Sequence, residues 1–455
     1  MSLIQRLLTE ATIPFDDLSH VHIQGEDPIL PSPFFIGEAG AAALGAVGYA
    51  ASELWRLKTG RRQDVAISAY HAALSQRSHA HVKKLDTDTP PLWNPISGLY
   101  PTQDQRWIQL HCNFPHHRDG VLSVLGCDAE RDQVTDKIQT EWCAALLEET
   151  LSDQGLCAAM VRTHAEWQQH PHYQATCALP VLEIIRCDDT YPTPLPKGNR
   201  PLSNINVLDL SRVIAGPVAG KTLAEHGARV MRVALPQLPF IEPLVIDTGA
   251  GKRSAHIDLH TETSKQQLTT LIQASDVFLQ AYRPGGLAQL GFGLEDIHRL
   301  NPHCIYVSLS AYSHQGPWAE KHGFDSLVQC VTGIVDTQTQ GDMPQHLPAQ
   351  SLDYLTGYFA ALGVMEALRR RATEGGSYHV RVSLVQTAHW LQNLGTVTGF
   401  EKCTIPSHEE IADCLLQQDT PFGRIERLRP LLQMSETQAH ATLPPVPLGT
   451  HPAQW

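Results

Sequence analysis

NVLDLSRVIAGPVAGKTLAEHGARVMRVALP, residues 206–236, is the stretch from which the fold class is read. It holds a short apolar run of strand length, a glycine-containing turn, a helical segment and a second apolar run. The same alternation continues downstream. GKRSAHIDLH (251–260) reads as strand, SKQQLTTLIQASD (264–276) as helix and VFLQAY (277–282) as strand. LEDIHRLN (294–301) then reads as helix and CIYVSLSAY (304–312) as strand. Strands alternating with helices predict an α/β architecture with a parallel sheet and helices on its faces. Ligands of such sheets bind beyond the carboxyl ends of the strands, so the segments that follow each strand hold the candidate site residues.

Upstream, DDTYPTPLPKGNRP (188–201) is dense in proline and polar residues and predicts a linker over 188–204. A repeat straddles it. AVGYAASELWRLKTGRRQDVAISAYHAA (46–73) and AALGVMEALRRRATEGGSYHVRVSLVQTA (360–388) share one order of features. Each has a helix of small residues, a basic helix end, a glycine turn and an alternating strand that enters a second helix. SLDYLTGYF precedes the second copy and places Asp353 just before its helix. PFFIGEAGA precedes the first and places Phe35 or Ala39 at the equivalent position, so acid chemistry is expected of the second copy alone. The chain then divides into a first repeat unit (1–74), a small domain with a returning segment (75–187), the linker, a large domain (205–400) and a tail (401–455). Within the small domain, SGLYPTQDQRWIQLH (97–111) predicts a strand pair turning at Gln103 to Gln105, with helices around 128–150 and 162–169.

Composition narrows the function. The 34 Lys plus Arg are outnumbered by 47 Asp plus Glu, for a formal charge of −13. That charge repels phosphate backbones and no basic patch offsets it, so no nucleic-acid partner is expected. No run of about 20 apolar residues is present, and the acidic N-terminus has no signal-peptide pattern. A cytoplasmic protein without a membrane partner is expected. The ten cysteines are scattered and form no C-x-x-C pair, as for reduced thiols. HCNFPHH (111–117) invites a metal reading, but its spacing is loose and no acidic or cysteine neighbour completes a ligand set, so no metal is expected.

Single motifs stay ambiguous. The turn around Ile214 and Ala215 could offer backbone N–H groups to a phosphate or thioester, or simply pack. Lys252 and Arg253 could hold phosphates or be solvated. Tyr282 and Arg283, ending a strand before Pro284, suit a purine and a phosphate, or an ordinary turn. Asp325 and Asp353 precede helices, where an Asp commonly serves as N-cap.

In combination the motifs say more. VLDLSRVIAGPVAGKTLAEHGARV (207–230), GKRSAHIDL (251–259) and SDVFLQAYRPGGLAQLGFG (275–293) are followed by HCIYVSLSAYSHQGPWAEKHGFDSLVQ (303–329) and LDYLTGYFAALGVMEALRRR (352–371). In this order they resemble the class III CoA-transferase family, which includes formyl-CoA and carnitine CoA-transferases and α-methylacyl-CoA racemases. The resemblance is continuous over 205–395. It implies that family's α/β fold, a Rossmann-like parallel-sheet large domain with a smaller α+β domain. Residues 37–186 resemble the family's second half placed ahead of the first, and 420–455 resemble its closing tail.

The resemblance also implies roles. Asp353 matches the nucleophile, a carboxylate expected to be ionised at neutral pH. Attack on an acyl-CoA gives a mixed anhydride, then an aspartyl-CoA thioester that an acceptor acid discharges. CoA contacts fall on Ile214 and Ala215, on Ile257, Asp258, Leu259 and His260, and on Tyr282 and Arg283. His322, Gly323, Phe324 and Asp325 are placed beside the thioester. Acyl-CoA and a small carboxylic acid are the implied partners, with no tightly bound cofactor because CoA enters as part of the substrate. Family members form interlocked homodimers, so a homodimer is expected unless this rearranged chain supplies both halves itself. Formyl-CoA transferase has a glutamine where Ile214 stands, an arginine where Leu235 stands and a glycine-rich lid with no counterpart in 75–195. The racemase branch has a histidine where Phe324 stands, which makes racemisation the weaker alternative. A CoA-binding protein without activity is the other.

Overall fold

The computed structural model describes residues 1–283 and 285–455. Seven strands form the central sheet: β1 (Leu182–Asp188), β2 (Asn206–Leu210), β3 (Arg229–Ala234), β4 (Lys252–His256), β5 (Val277–Gln280), β6 (Ile305–Ser310) and β7 (Ser377–Ser383). Their order is β4-β3-β2-β5-β6-β7-β1. Every neighbouring pair is parallel except β7 with β1. Val207, Val277, Ile305 and Val380 are fully buried, as expected of strands covered on both faces. From β2 the chain moves outward through β3 and β4, then returns to the other side of β2 as β5. The crevice at the carboxyl ends of β2 and β5 is therefore the topological switch point of the sheet.

Helices α2 (Ala215–Glu225), α3 (Asp325–Val331) and α4 (Ser351–Thr373) frame that crevice, and α1 (Ile36–Thr59) packs against α4. The chain's tail runs back along the outer edge of the sheet, where Gly251 N–H donates to the Leu443 carbonyl and Gly449 N–H to Ser254 Oγ. This covers an edge strand that would otherwise present unpaired backbone groups.

The sequence repeat is a structural one. After α1 come the strand Val65–Ser68 and the helix Ala69–Ser75, and after α4 come β7 and the helix Leu384–Asn393. Ser68 and Ser383 each cap the second helix, accepting from His71 N–H and Gln386 N–H. Val21–Gln24 lies parallel to Val65–Ser68, as β6 lies parallel to β7. Gln433–Met434 lies antiparallel on its other side, as β1 does on β7. The first unit is thus a half-size echo of the large sheet. The small domain matches expectation at Gly98–Pro101 and Trp107–Leu110, which pair antiparallel around a left-handed Gln105 (φ 58°). It also contains a helix over Pro115–Leu125 that was not anticipated; Pro115 at its first position explains the start.

A buried ion pair fixes the base of the crevice. Lys252 Nζ lies 2.8 Å from Asp209 Oδ2 and 2.7 Å from the Pro217 carbonyl, with Lys252 1% and Asp209 0% exposed. It ties β4, β2 and α2 together, so the phosphate-binding reading of Lys252 is replaced by a structural one.

Gly357 sets how closely α4 approaches α2. A Cβ there would lie 2.6 Å from the Ala215 carbonyl oxygen and 2.8 Å from Val218 Cβ. Both neighbours are rigid, so overpacking outweighs the gain of about 1 kcal/mol in helix propensity. Gly357→Ala is expected to destabilise by about 1–2 kcal/mol in denaturant unfolding. Gly45→Ala in α1, whose new methyl meets the movable side-chain end of Ile23 at 3.1 Å and Ile4 Cδ1 at 3.5 Å, is expected to be neutral or stabilising.

Candidate functional site

The turn after β2 carries backbone strain. Ser211 N–H donates to Asp209 Oδ1 at 3.0 Å, and the Ser211 hydroxyl donates to the same oxygen. Two residues on, Val213 adopts φ 67°, a conformation that β-branched residues rarely hold. It persists because the Asp209–Lys252 pair anchors one side of the turn and Ile214, at the N-cap of α2, anchors the other.

Beyond the turn lies a cavity of about 370 Å³. Ile214, Ala215, Tyr282, Arg283, His322, Gly323, Phe324 and Asp353 all line it, as expected of those residues. The sequence reading missed Arg212 and Lys321, which add positive charge, and Phe114, His116, His117 and Cys157 from the small domain. Lys321 also lies 3.4 Å from Glu148 and sits over the Trp318 ring at 4.0 Å. A second, smaller cavity of about 40 Å³ lies on the other side of Asp353. Val213, Ile214, Phe324 and Asp353 line both cavities.

Asp353 is the third residue of α4 and Asp325 the first of α3, so neither precedes its helix and neither is its N-cap; Gln350 and Phe324 hold those places. Asp325 Oδ2 instead accepts from the Asp353 backbone N–H at 2.9 Å, joining the two helix starts. Gln329 Nε2 donates to Asp325 Oδ1. Burial pushes the Asp325 carboxyl up to about 7. Burial, followed by repulsion from Asp325, raises Asp353 well above the usual carboxylate range. No hydrogen bond to its carboxylate offsets this among the described residues. Burial and the neighbouring Asp325 thus work against the ionised form that the sequence reading expects of Asp353.

Other expected residues sit elsewhere. Asp325 faces the smaller cavity and not the larger one. Ile257, Asp258, Leu259 and His260 lie beyond β4, outside the residues lining either cavity. Ile257 and Leu259 are buried in a separate apolar cluster, and Asp258 accepts from Gln237 Nε2 and His260 N–H. In the first repeat copy, neither Phe35 nor Ala39 matches Asp353. Phe35 is the N-cap of α1 and Glu38 its third residue, so Glu38 stands at the matching place. It reproduces the local contact too, because Glu38 N–H donates to Asp27 Oδ2 at 2.8 Å.

The histidine segment also finds partners that sequence proximity hid. Potential ligand atoms of His117, Cys157 and His322 lie within 4.8 Å of one another, and His117 Nε2 is 3.8 Å from Cys157 Sγ. Burial pulls His117 down to about 4 and pushes the Cys157 thiol up to about 12, so both are neutral. The His117 ring packs edge-on to Phe114 and Phe324. This trio forms part of the aromatic wall of the larger cavity.

The acid pair has a measurable signature. Because the folded state raises both carboxyls, it binds protons that the unfolded chain has released above about pH 4. The pair's support for folding is greatest at low pH and declines as pH rises through the folded values. Asp353→Asn mimics the protonated carboxyl. Its melting temperature relative to wild type is expected to rise by at least about 2 °C between about pH 5 and about pH 8. A pH-independent difference in calorimetry would refute the raised value.

Residues 18–189 and 202–413 match CoA-transferase family III. Similar proteins include the acetyl-coenzyme A transferase nodX of Hypoxylon pulicicidum, 31% identical over 66% of this chain and 55% of its own length. An acyl-CoA transferase of Gibberella moniliformis is 29% identical over 81% of this chain and 72% of its own length. The chain thus spans little more than half of the first relative and about three quarters of the second. A crystal structure of Rv3272 from Mycobacterium tuberculosis is 33% identical over 44% of this chain and 59% of that one, with a TM-score of 0.41. With both segments of the chain matched across the large and small domains, the protein belongs to CoA-transferase family III.

Proposed function

We propose that this chain transfers coenzyme A between an acyl-CoA thioester and a carboxylic acid, with Asp353 as covalent acceptor. The observation that carries this reading is the position of Asp353, at a helix start on the wall shared by two cavities at the switch point of the sheet. Relatives named for CoA transfer support it, among them a succinate–glutarate CoA-transferase of Agrobacterium fabrum.

The larger cavity suits the CoA portion. Arg212, Arg283 and Lys321 supply charge for phosphates, and the N-terminus of α2 adds backbone N–H groups. An acyl-CoA bound there presents its carbonyl carbon to an Asp353 oxygen. As the carbon–oxygen bond forms and the carbon–sulfur bond breaks, the proton of Asp353 passes to the departing sulfur, whose thiol pKa is about 8.5. The thiolate form of CoA then attacks the aspartyl carbonyl of the anhydride, leaving aspartyl-CoA and the free acid. An acceptor acid reverses both steps. The N–H groups of the first turn of α4 favour negative charge developing at Asp353. Water is excluded by Phe114, Phe324 and His117, an aromatic wall that takes the part the glycine-rich lid plays in formyl-CoA transferase.

Racemisation is disfavoured by a specific contact. Phe324 stands where a proton-transferring base would be needed, with its ring 3.8 Å from that of His111. The packing of α1 against α4 also favours a reading in which one chain completes its own site.

Incubation with acyl-CoA, followed by mass spectrometry of the protein, is expected to show a CoA adduct on Asp353. Asp353→Ala is expected to lose transfer by at least about 10³-fold. Undiminished transfer by that variant would sink the mechanism, and solvent deuterium entering the α-position of the acyl group would restore the racemase reading.

A further inference from the structure

The smaller cavity carries chemistry that the proposed transfer has not yet used. Its wall includes Trp93 and His111 from the small domain, Ile241 and Leu244 from the segment after β3, and Ser326 and Gln350 beside the acid pair. Two of its polar groups are buried without partners. His111 is 4% exposed, and neither ring nitrogen has a hydrogen bond; Ser326 is 3% exposed, and its hydroxyl has none. Leaving such groups unpaired is costly, so their presence on a cavity wall points to a ligand that pairs them. Burial holds His111 neutral, at about 3, so it can donate from one nitrogen and accept at the other without attracting a carboxylate.

Charge is sorted between the two cavities. Arg212, Arg283 and Lys321 all line the larger one, whereas no Lys or Arg lines the smaller. The smaller one holds Asp325 and Asp353 instead. A second carboxylate there would be desolvated with no cation to meet it. The volume sets the length. At roughly 10–15 Å³ per water-sized group, 40 Å³ admits about three such groups beyond the reacting carboxyl.

We infer that this cavity is the acyl pocket of the proposed transferase and selects short monocarboxylic acyl groups that bear a hydroxyl, which His111 and Ser326 hydrogen-bond. The inference rests on the transferase reading and names its substrate class. Dicarboxylic acyl groups such as succinyl are excluded by charge. Plain alkyl acyl groups fit by size but leave His111 and Ser326 unpaired.

The test uses the whole chain and one acyl-CoA at a time. Attack by Asp353 gives the anhydride and CoA, and CoA then gives aspartyl-CoA and the free acid, so the rate of adduct formation reads out donor preference without an acceptor. 3-Hydroxybutyryl-CoA is expected to load Asp353 at least about tenfold faster than butyryl-CoA, and both faster than succinyl-CoA. His111→Phe is expected to lower the hydroxybutyryl-to-butyryl ratio at least about tenfold, and Ser326→Ala, a smaller change to the pocket, to lower it in the same direction. Equal loading by the two four-carbon donors, faster loading by succinyl-CoA, or a ratio that neither variant moves would overturn the substrate assignment while leaving the transferase reading intact. No adduct from any of the three donors would overturn the transferase reading and this assignment with it.

Discussion

The site depends on how closely the start of α4 can approach the start of α2. Two helix N-termini meet at the switch point only because residue 357 has no side chain; any Cβ there would press on the Ala215 carbonyl. That approach brings Asp353 to the wall shared by both cavities and takes its carboxyl out of water. The two consequences compete. Helix N-termini favour a nearby anion by about 0.3–1 kcal/mol, up to about 2 when partly buried. Desolvation of a carboxylate opposes it by several kcal/mol, and the neighbouring Asp325 adds repulsion. Desolvation wins, so the Asp353 carboxyl lies well above the usual carboxylate range despite its place at a helix start.

The duplicated unit shows which parts of this arrangement are generic. Glu38 in α1 and Asp353 in α4 both hold the third helical position, and each backbone N–H there donates to an aspartate from outside the helix, Asp27 or Asp325. Tying down a helix start with an external carboxylate is therefore a feature of the unit and not of the chemistry. What distinguishes the second copy is the close packing in front of it. Where α4 has Gly357, α1 has Ala42, one turn beyond its acid. Helix α4 is joined closely by α2 near the strained turn at Val213, and two cavities converge on its acid.

Much of this was legible in the sequence, because the alternation of apolar runs sets the strands and helices of the sheet, and the sheet's topology sets where ligands go. Tyr282, Arg283 and Ile214 reached the larger cavity on that logic. The reading failed where local signals had two physical meanings. An Asp near a helix start stabilises it either as N-cap or within the first turn, and the notion that Asp353 precedes the helix chose the commoner of the two. Counting back from that misplaced start also hid Glu38. Ile257 and Leu259 follow a strand, as site residues should, but that strand is the outermost one, two places from the switch point, and their apolar side chains turn into the core. Trp93 and Ser326 carried no usable signal, and His111 stood out only as part of the loosely spaced histidine segment 111–117. They become neighbours only when the small domain folds over α3, a contact between segments more than 200 residues apart.

Under the proposed transfer, that folding-over shields the anhydride without a glycine-rich lid. A mobile lid excludes water by closing after substrate binds, and it must be ordered each time. Here Phe114 and His117 pack against Phe324 as part of the fold, and His111 packs against the same ring from the other cavity. The ordering cost is met once, on folding. The same wall keeps the surroundings of Asp353 apolar, which raises its carboxyl and strengthens electrostatic contacts within the site. Under the proposed transfer, shielding the intermediate and raising the Asp353 carboxyl are thus one physical effect, and it centres on the acid pair Asp325–Asp353.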